Sequence, residues 1–298
     1  MKKLLITGGS GLLGQALLAK LPPQTYEVFA VTTDVTKFPR FEGVTPIQAD
    51  LLNESSRHSL IEHLHPDILV HLAWDLSPEF KQSDANLAWL AASLDLLHEF
   101  HRQGGRRFIF AGSGAEYDGE RGNFSENTGS AQTQYGICKR AFGETAMRYG
   151  EKFGLEIAVP RYFTIYGEND RHFDGTIPSA IIAFLRGERF LCNMPYAIRD
   201  FIYSEDAAEV TVKLLESHLT GAINITSGNP SSMRDIFSTI AEEMGTKHLL
   251  EFSKVDAPPD ILTADISRMK NELGYTCKVN LKNGLNITID WWKKSLEL

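Results

Sequence analysis

Cysteine is scarce in this sequence, with three residues among 298. Cys138, Cys192 and Cys277 do not have the spacing of metal ligands, and three cysteines cannot all pair. Disulfide bonds persist in oxidising compartments, whereas unpaired thiols are typical of a reducing cytosol. The cysteine content therefore argues against a disulfide-stabilised scaffold and favours a cytoplasmic location.

Positive charge and long hydrophobic runs are also in short supply. The chain has 30 Lys and Arg against 38 Asp and Glu, a formal net charge of −8, and no basic run. Nucleic-acid binding needs a clustered basic surface, so we expect no nucleic-acid partner. No apolar stretch approaches the roughly 18 residues of a membrane-spanning helix. The apolar run 4–6 is also too short for a signal peptide. We expect a soluble protein without a membrane partner.

What the chain does contain is an alternation of short apolar runs with longer helical patterns. This alternation is typical of βαβ units and predicts an α/β fold, a Rossmann-type doubly wound parallel sheet with helices on both faces. The predicted strands are Lys3–Thr7, Glu27–Thr32, Val44–Gln48, Ile68–Leu72, Arg107–Ala111, Glu156–Arg161, Arg199–Tyr203 and Ala222–Thr226. The predicted helices are Leu12–Leu21, Ser55–His63, Asp84–Gln103, Gln134–Phe153, Ile266–Leu273 and Leu285–Lys294.

The pattern loosens after Gly167, where proline, glycine and polar residues mix. We predict a dinucleotide-binding domain over residues 1–165, to which residues 198–226 return. Residues 166–197 and 227–298 would form a smaller, discontinuous substrate-binding region.

Gly8, Gly11 and Gly14 follow a predicted strand and open a predicted helix. Glycine lets the backbone turn tightly and approach a pyrophosphate, and the free N–H groups at the start of a helix favour the anion. An ordinary glycine-rich turn is the alternative, but the strand before and the helix after favour a dinucleotide. The residues between the glycines, Ser10, Leu12 and Leu13, belong to the same predicted site.

The choice of dinucleotide depends on the end of the second strand. An acidic residue about 20 positions after the glycines normally accepts the ribose hydroxyls. Thr32 takes that position here, followed by Thr33, and Asp34 would serve if the strand were shifted by two residues. Without the carboxylate, Lys37 or Arg40 could pair with a 2′-phosphate, so NADP(H) is favoured over NAD(H). Asp50 and Leu51 suit a contact with adenine; a helix cap is the alternative for Asp50.

Tyr135 and Lys139 are four residues apart within a predicted helix, which places both side chains on one face. A nearby cation favours the phenolate. We therefore expect Tyr135 to exchange a proton near neutral pH, well below its reference pKa of about 10. The spacing alone is weak evidence, because it occurs by chance on many helices.

Taken together, these segments resemble the extended short-chain dehydrogenase/reductase family, a group of nucleotide-sugar epimerases, dehydratases and reductases. The resemblance runs nearly end to end. The segments that carry it are Thr7–Gly14, Asp50-Leu51, His71-Leu72-Ala73-Trp74, Asn86, Ser113 with Tyr117, Tyr135 with Lys139, Arg161-Tyr162-Phe163, Tyr166-Gly167, Arg199-Asp200-Phe201 and Ala264–Ser267 through Trp291-Trp292.

The resemblance implies catalytic roles for Ser113, Tyr135 and Lys139. Ser113 would hydrogen-bond the substrate oxygen, and Tyr135 would transfer a proton to or from it. Lys139 would bind the nicotinamide ribose and lower the pKa of Tyr135. The implied cofactor-binding set is Gly8, Ser10, Gly11, Leu12, Leu13, Gly14, Thr32, Thr33, Asp50, Leu51, Leu72, Ala73, Trp74, Asn86, Tyr135, Lys139, Tyr162 and Phe163.

The same resemblance implies a nucleotide-sugar substrate held by Ser113, Thr164 and Arg199, with no metal. Arg199 would pair with the substrate diphosphate, because a guanidinium fork suits two phosphate oxygens. A surface ion pair with Asp200 or Glu205 is the alternative for Arg199.

The residues after Ser113 narrow the reaction. The 4,6-dehydratases that this chain resembles have an Asp-Glu pair there, and the decarboxylases have a glutamate at the second position. Gly114 and Ala115 carry no proton-transferring group. Glu116 would serve only if an insertion or deletion restored it. GDP-fucose synthases use a cysteine at the position of Ala115 and a histidine further on, for which His172 is the nearest candidate.

Hydride transfer with one proton passing through Tyr135 needs nothing more. We predict an NAD(P)H-dependent reductase of a nucleoside-diphosphate-4-keto-6-deoxyhexose. The alternative is a nucleotide-sugar C4 epimerase with tightly bound NAD, and a third hypothesis is a non-catalytic NADP-sensing or scaffold protein. The preference for NADP favours the reductase, as does Thr164, which replaces an asparagine often seen in C4 epimerases.

The resemblance also implies a homodimer. Relatives form a four-helix interface from helices that correspond to Asp84–Gln103 and Gln134–Phe153. Leucines recur at helical spacing along the first of these segments, and the same stripe would serve equally to pack against the sheet. They are Leu87, Leu90, Leu94 and Leu97.

Overall fold

The computed structural model describes residues 1–254 and 258–296. Its strands, numbered in chain order, are β1 (Lys2–Thr7), β2 (Tyr26–Thr32), β3 (Val44–Gln48), β4 (Ile68–His71), β5 (Arg107–Phe110), β6 (Gly112–Ser113), β7 (Gly122–Phe124), β8 (Glu156–Tyr162), β9 (Thr164–Tyr166), β10 (Phe190–Cys192), β11 (Ile198–Arg199), β12 (Phe201–Tyr203), β13 (Gly221–Ile225), β14 (Ser231–Ser232), β15 (Leu250–Phe252) and β16 (Ile261–Ala264).

The helices of the same residues are α1 (Leu12–Lys20), α2 (Glu54–Leu64), α3 (Ala85–Arg102), α4 (Gln134–Phe153), α5 (Thr176–Leu185), α6 (Ser204–Glu216), α7 (Met233–Glu243), α8 (Ser267–Asn271) and α9 (Leu281–Ser295). Short 3₁₀ turns add to these, two of them at Phe80–Gln82 and Gly114–Tyr117. No helix in the described part of the chain is long and apolar enough to cross a membrane.

The main sheet is parallel, with the strand order β3-β2-β1-β4-β5-β8-β13 and β6 paired to β8. This confirms the predicted α/β fold. The chain runs outward in one direction from β1 and in the other from β4, so the order reverses between these two strands. Ligands of doubly wound sheets bind in the crevice outside the carboxyl ends at such a point. The register pairs Thr7 with His71, so the segments that follow β1 and β4 meet at this crevice.

Apolar residues cover both faces of the sheet, which explains why its strands have continuous apolar runs. On β1, Leu4 and Ile6 belong to one buried cluster and Leu5 belongs to another. Helices α1 and α6 contribute Leu17 and Leu214 to the first cluster. Helices α3 and α4 cover the second face.

A third buried cluster lies outside the main sheet and joins α5, α7 and α9, with Trp292 among its members. The chain enters this part after β9. The predicted division into a dinucleotide-binding domain and a substrate-binding region stays a prediction; residues 255–257 and 297–298 of that region lie outside the described residues.

One predicted strand differs from the structure. The segment 199–203 is divided at Asp200 into β11 and β12, which belong to different sheets. The buried Asp200 carboxylate accepts hydrogen bonds from the backbone N–H groups of Ser227 and Gly228 at 3.1 and 2.9 Å. Asp200 therefore connects this segment to the loop after β13 at the point where the strand breaks.

Candidate active site

The glycine-rich segment forms a tight backbone turn at the start of α1. Gly8 has a left-handed φ of +73°, and a Cβ there would lie 2.8 Å from the backbone nitrogen of Ala73. A Cβ on Gly14 would meet the Gly8 carbonyl and lie 2.7 Å from Gly9 Cα. Neither position accepts a side chain. Gly11 is the N-cap of α1 and offers no capping side chain, so the first N–H groups of the helix are free for an anion. The segment fits a dinucleotide pyrophosphate.

A buried polar network fixes the segment opposite the glycines. Thr7 Oγ1 accepts a hydrogen bond from the Ala73 N–H at 3.2 Å and lies 2.7 Å from His71 Nδ1. His71 Nε2 lies 2.9 Å from Ser93 Oγ. Burial, assisted by the Lys139 charge, lowers the pKa of His71 to about 3, so the imidazole is neutral. The network connects β1, β4 and α3 beneath the crevice.

A cleft with a volume of about 1000 Å³ follows the carboxyl edge of the sheet. Most residues predicted for the adenosine end lie along it. They are Gly8, Ser10, Gly11, Thr32, Thr33, Asp50, Leu51, Leu72, Ala73 and Trp74. Residues 171–174 also line this cleft, although no sequence pattern indicates this position for them.

The helix-cap alternative for Asp50 is wrong, because Asn53 caps α2 by accepting from the Ser56 N–H at 2.9 Å. Asp50 is exposed on the cleft, and its Oδ1 accepts from the Leu52 N–H at 2.9 Å. Its second carboxylate oxygen is thus available to a ligand.

The cations expected near Thr32 and Thr33 lie elsewhere. Lys37 Nζ lies 3.1 Å from Asp34 Oδ2, and neither Lys37 nor Arg40 is among the residues that line the cleft. Asp34 also does not line it; its carboxylate accepts from the Thr36 N–H at 2.9 Å. The structure gives no support to a 2′-phosphate site formed by Lys37 or Arg40.

Asn86 differs from its predicted place in the cofactor groove. Its side chain is buried behind Trp74, where Oδ1 accepts from the Trp74 indole N–H at 2.8 Å. The Asn86 amide nitrogen donates to the carbonyls of Phe80 and Ser83 at 2.6 and 2.8 Å. All its polar atoms are thus used to position the groove wall, and Asn86 lines none of the cavities described here.

A smaller cavity of about 330 Å³ continues the groove toward Tyr135. Leu12, Leu13 and Gly14 line it from the glycine-rich side. Lys139 lines it from α4, with Nζ donating to the Ala111 carbonyl at 2.9 Å. The ammonium lies 4.2 Å from the centroid of the Trp74 ring. Burial lowers the pKa of Lys139 to about 7, and the Glu116 charge opposes the shift.

The start of α4 holds Tyr135 at the end of this cavity. Thr133 caps the helix by accepting from the Gly136 N–H at 3.1 Å, and its hydroxyl donates to Asp118 Oδ2 at 2.7 Å. Gly136 packs so closely on the Ala115 carbonyl that no side chain would fit. The Tyr135 ring packs edge-to-face on Phe80, with centroids 4.9 Å apart. No sequence pattern indicates this role for Phe80.

The expected lowering of the Tyr135 pKa is wrong in this structure. Desolvation raises the pKa of Tyr135 to about 12, and a hydrogen bond with Ser113 opposes that shift. Lys139 Nζ lies 5.6 Å from the centroid of the Tyr135 ring and stays on the side of Trp74. Desolvation of the phenol therefore outweighs the Ser113 hydrogen bond, and the Glu116 charge adds to the rise in pKa.

A third cavity of about 530 Å³ opens on the other side of Tyr135. Its lining comes from the turn 113–115, from β9 and from the segments around β10 and β11, and it includes Thr164 and Arg199. Five residues line both this cavity and the one beside Lys139. They are Phe80, Ser113, Tyr135, Tyr162 and Phe163. The predicted catalytic residues Ser113 and Tyr135 thus lie at the wall between the two cavities.

Arg199 forms an ion pair, but with a different partner from the one considered in the sequence. Its Nη1 donates to the Asp260 carbonyl at 2.8 Å, and Nη2 donates to Asp260 Oδ2 at 2.5 Å. Asp200 and Glu205 are not its partners. The guanidinium still lines the third cavity, so Arg199 faces both this cavity and Asp260.

Glu116 points away from the third cavity into a buried ion pair. Its Oε2 accepts from Arg161 Nε at 2.6 Å, and Oε1 accepts from the Ser113 N–H at 2.9 Å. The Glu116 side chain is fully buried and lines none of the three cavities. Gly114 and Ala115 line the third cavity instead. Positions 114–116 therefore present no acid or base to a ligand there.

His172 lies on the dinucleotide side of Tyr135. It lines the 1000 Å³ cleft and the 330 Å³ cavity, but not the 530 Å³ cavity. The structure thus does not place His172 with Ala115 at a shared sugar site, as the comparison with GDP-fucose synthases would require.

Similar proteins share this architecture. A UDP-glucose 4-epimerase of Thermotoga maritima, solved with UDP-glucose, superposes with a TM-score of 0.87 at 23% identity, over 99% of both chains. A UDP-glucose 4-epimerase of Thermus thermophilus, solved with NAD, gives a TM-score of 0.82 at 24% identity, over 98% of this chain and 99% of that one.

Proteins with similar sequences carry the names of UDP-sugar epimerases and decarboxylases. The uncharacterized UDP-glucose epimerase YtcB of Bacillus subtilis is 30% identical over 95% of each chain. UDP-glucuronic acid decarboxylase 6 of Arabidopsis thaliana is 30% identical over 95% of this chain and 86% of its own. The model of the NAD dependent epimerase/dehydratase family matches residues 4–226. The chain therefore belongs to the NAD dependent epimerase/dehydratase family and is an enzyme of the extended short-chain dehydrogenase/reductase type.

Proposed function

We propose that the protein is a nucleotide-sugar C4 epimerase that works with bound NAD. One observation carries this proposal. Ser113 and Tyr135 line both the cavity beside Lys139 and the 530 Å³ cavity, so one phenol faces the nicotinamide end of the groove and a ligand beyond it. A single proton-transfer group at this wall suits oxidation and reduction at one sugar carbon.

The reaction needs only what these side chains supply. Bound NAD would supply the hydride acceptor for sugar C4 and, once the keto sugar has turned over, the hydride donor for its opposite face. Tyr135 takes the proton of the C4 hydroxyl during oxidation and gives it back during reduction. Ser113 donates a hydrogen bond to the same sugar oxygen and stabilises the developing charge. Lys139 has one described acceptor, the Ala111 carbonyl, which leaves two donors for the nicotinamide ribose.

The buried ion pair of Glu116 with Arg161 favours epimerisation over elimination and decarboxylation. Either of those reactions would need a second acid or base within hydrogen-bond reach of the sugar. Gly114 and Ala115 have none, and the Glu116 carboxylate is engaged by Arg161. The relatives and solved structures that carry epimerase names support the same choice.

We infer that the cofactor is NAD. The earlier preference for NADP depended on Lys37 or Arg40, and neither lines the cleft. Thr32 and Thr33 line the cleft with hydroxyl groups that suit the adenosine ribose. Equilibrium binding of NAD⁺ and NADP⁺ to the purified protein tests this point, and tighter binding of NADP⁺ would contradict it.

We also propose that Arg199 contacts the diphosphate of the substrate. Its guanidinium lines the 530 Å³ cavity together with Ser113 and Tyr135, and carries a fork suited to two phosphate oxygens. The cavity lining includes polar and apolar residues around β10 that would surround a nucleoside, among them Asn193 and Met194.

A product assay tests the proposed reaction. The NAD-loaded protein is incubated with UDP-glucose, UDP-glucuronate and UDP-N-acetylglucosamine in turn, and the products are identified by NMR. We expect one of these substrates to reach an equilibrium mixture with its C4 epimer and no net change in NADH. Release of carbon dioxide, or formation of a 4-keto-6-deoxy product, would contradict the proposal.

A 4-ketoreductase is the second candidate, and Thr164 favours it. This threonine is exposed on β9 and lines the 530 Å³ cavity, at the position where many C4 epimerases have an asparagine. The same site would then consume NADH or NADPH with a 4-keto-6-deoxy sugar nucleotide. Stoichiometric loss of absorbance at 340 nm with that substrate, and no epimerisation of the plain sugars, would favour this candidate.

We propose a homodimer formed by α3 and α4. Leu97 is buried, and Leu90 and Leu94 pack partly against the core, whereas Leu87 on α3 and Ile137 on α4 are exposed. Exposed apolar residues on these two helices support a helix–helix interface between copies. Sedimentation equilibrium of the wild-type protein and of Leu87→Asn tests this, and a wild-type monomer at high micromolar concentration would overturn it.

A further inference from the structure

A short segment lines the dinucleotide groove together with the glycines, and the proposed reaction does not explain it. It consists of residues 168–175, between β9 and α5, and its middle part, 171–174, lines the 1000 Å³ cleft. His172 also lines the smaller cavity beside Lys139.

The junction of the two cavities shows what His172 faces. Six residues line both cavities: Gly8, Gly11, Leu72, Trp74, Leu76 and His172. A dinucleotide places adenosine in one part of such a groove, the nicotinamide riboside in the other, and the pyrophosphate between them. Gly8 and Gly11 approach the junction from the start of α1. Of the six, His172 is the one with a titratable side chain.

Several contacts hold the segment in place. Asp170 is buried, and its Oδ1 accepts from the His172 N–H at 3.0 Å and from Nδ1 at 2.9 Å. The Gly175 N–H donates to the His172 carbonyl at 2.8 Å. Phe173 packs on the ring of Trp292, with centroids 5.4 Å apart. Since Nδ1 is the donor to Asp170, the Nε2 atom is left to face the groove, and it has no hydrogen-bond partner among the described residues.

We propose that His172 binds the pyrophosphate of the dinucleotide, from the side opposite the glycine-rich segment, with Asp170 fixing its tautomer and orientation. This inference rests on dinucleotide binding and not on the proposed reaction. The ligand site is therefore completed by a segment that lies outside the first βαβ unit. A charged imidazole suits an anion that the free backbone N–H groups at the start of α1 also attract.

The surrounding charges support a protonated imidazole. The hydrogen bond that His172 donates to Asp170 raises the pKa of His172. Burial opposes this shift, and the charges of Asp170 and Asp174 raise the pKa further. The other titratable groups that line the two cavities are Asp50, Arg171, Asp174, Tyr135, Lys139, Tyr162 and Asp170. Lys139 also titrates near neutral pH, so a pH experiment must compare variants that all retain Lys139.

Binding of NAD⁺ and of adenosine, measured by calorimetry at pH 6 and pH 8.5, tests the inference without any sugar substrate. The variants are His172→Ala, His172→Gln and Asp170→Asn. His218→Ala is the matched control, because His218 is an exposed histidine whose Nδ1 lies 2.7 Å from Glu156, and neither residue lines the groove. Adenosine reports the part of the cleft that contains no phosphate.

We expect His172→Ala to weaken NAD⁺ binding at pH 6 by roughly tenfold or more, the usual effect of losing a charged hydrogen bond. Adenosine binding should stay unchanged. The ratio of the wild-type and His172→Ala affinities should fall at pH 8.5, and Asp170→Asn should make that fall begin at a lower pH. His172→Gln should recover part of the loss independently of pH, because it keeps a neutral donor.

Equal NAD⁺ affinity in wild type and His172→Ala at pH 6 would overturn the inference. So would a parallel loss of adenosine and NAD⁺ binding, which would assign His172 to the packing of residues 168–175. Failure of the epimerase assay leaves these measurements unaffected.

Discussion

Arg161 Nε lies 2.6 Å from Glu116 Oε2, and both side chains are buried, at 2% and 0% exposure. This ion pair removes from the sugar side the carboxylate that follows Ser113 by three residues. Arg161 also donates to the Tyr117 hydroxyl at 2.7 Å, and Tyr117 donates to Asn224 on β13 at 2.7 Å. Glu116 therefore belongs to a structural network beneath the site.

Glu116→Ala should destabilise the protein strongly. Removing one partner of a buried pair leaves the other charge uncompensated, which costs about 3–5 kcal/mol in the free energy of unfolding. Urea unfolding measures this. Glu144→Ala is the control, because Glu144 forms an exposed pair with Arg140 on α4 and its loss should cost less than about 1 kcal/mol. A Glu116→Ala protein with unchanged stability and no turnover would instead indicate an acid or base at Glu116.

Tyr135→Phe should abolish most turnover while the protein stays folded and binds NAD⁺. The phenol hydroxyl transfers the proton in this account, and general acid–base groups contribute about 10²–10⁴-fold to rate. Single-turnover kinetics and NAD⁺ titration give the two readouts. Tyr149→Phe is the matched control on the same helix, where the hydroxyl lies 2.8 Å from His101 Nδ1. Comparable rates in Tyr135→Phe and Tyr149→Phe would contradict the assignment of Tyr135.

Arg199→Ala should raise KM for the nucleotide sugar by at least tenfold and change kcat less. The loss of a charged contact with the diphosphate explains the effect on binding. Asp260→Asn should have the opposite effect and lower KM, because Asp260 competes with the diphosphate for the same guanidinium. Steady-state kinetics of both variants separate the two roles of Arg199. If both substitutions raised KM equally, the Arg199–Asp260 pair would be a structural contact alone.

The stability of the cofactor-free protein should rise between pH 7 and pH 10 because of Lys139. Burial lowers the pKa of Lys139 to about 7 in the folded protein, below the ordinary value of 10.5. Between these values the unfolded chain binds the proton that the folded protein has released. The free energy of unfolding therefore increases with pH, by up to about 1.4 kcal/mol per pH unit.

Lys139→Met isolates that contribution, since every other titrating group is common to both proteins. Urea unfolding at pH 7, 8 and 9 should give a wild-type value that rises relative to Lys139→Met as the pH increases. Parallel curves for the two proteins would show that Lys139 keeps an ordinary pKa.

Local signals explain which elements could be predicted from the sequence. Helix α4 has the predicted bounds, because Thr133 caps its start and Gly154 ends it in the left-handed conformation. The glycines around the start of α1 were equally informative, because two of them, Gly8 and Gly14, leave no room for a side chain. By contrast α5, α6 and α7 were not predicted. They belong to parts of the chain where helices pack on one another or return to the sheet, and no alternation of strand and helix marks them.

The residues of the candidate site also divide into those that local sequence patterns indicate and those that only the folded chain reveals. Ser113 and Asp50 lie just after predicted strands and line cavities in the folded chain, while their roles stay predictions. Asn86 lines none of these cavities, because the Trp74 indole N–H donates to its side-chain oxygen, and only the folded chain shows this contact. The prediction of a lowered Tyr135 pKa was wrong for a related reason. The spacing of Tyr135 and Lys139 along the helix does not reveal the desolvation of the phenol, and it does not reveal the direction in which the lysine side chain points. The pairing of Arg199 with Asp260 joins residues 61 positions apart, which no local pattern reveals.

The fate of hydrogen at sugar C4 tests the central claim most directly. The NAD-loaded enzyme is incubated in D₂O with the substrate found by the product assay, and the C4 epimer is examined by NMR and mass spectrometry. We predict that the epimer carries no deuterium on carbon, because the hydride leaves C4 and returns to it while Tyr135 exchanges only the hydroxyl proton. Deuterium at C3, C4 or C5 would contradict the account, because it would require proton abstraction from carbon, a step that hydride transfer at C4 does not include.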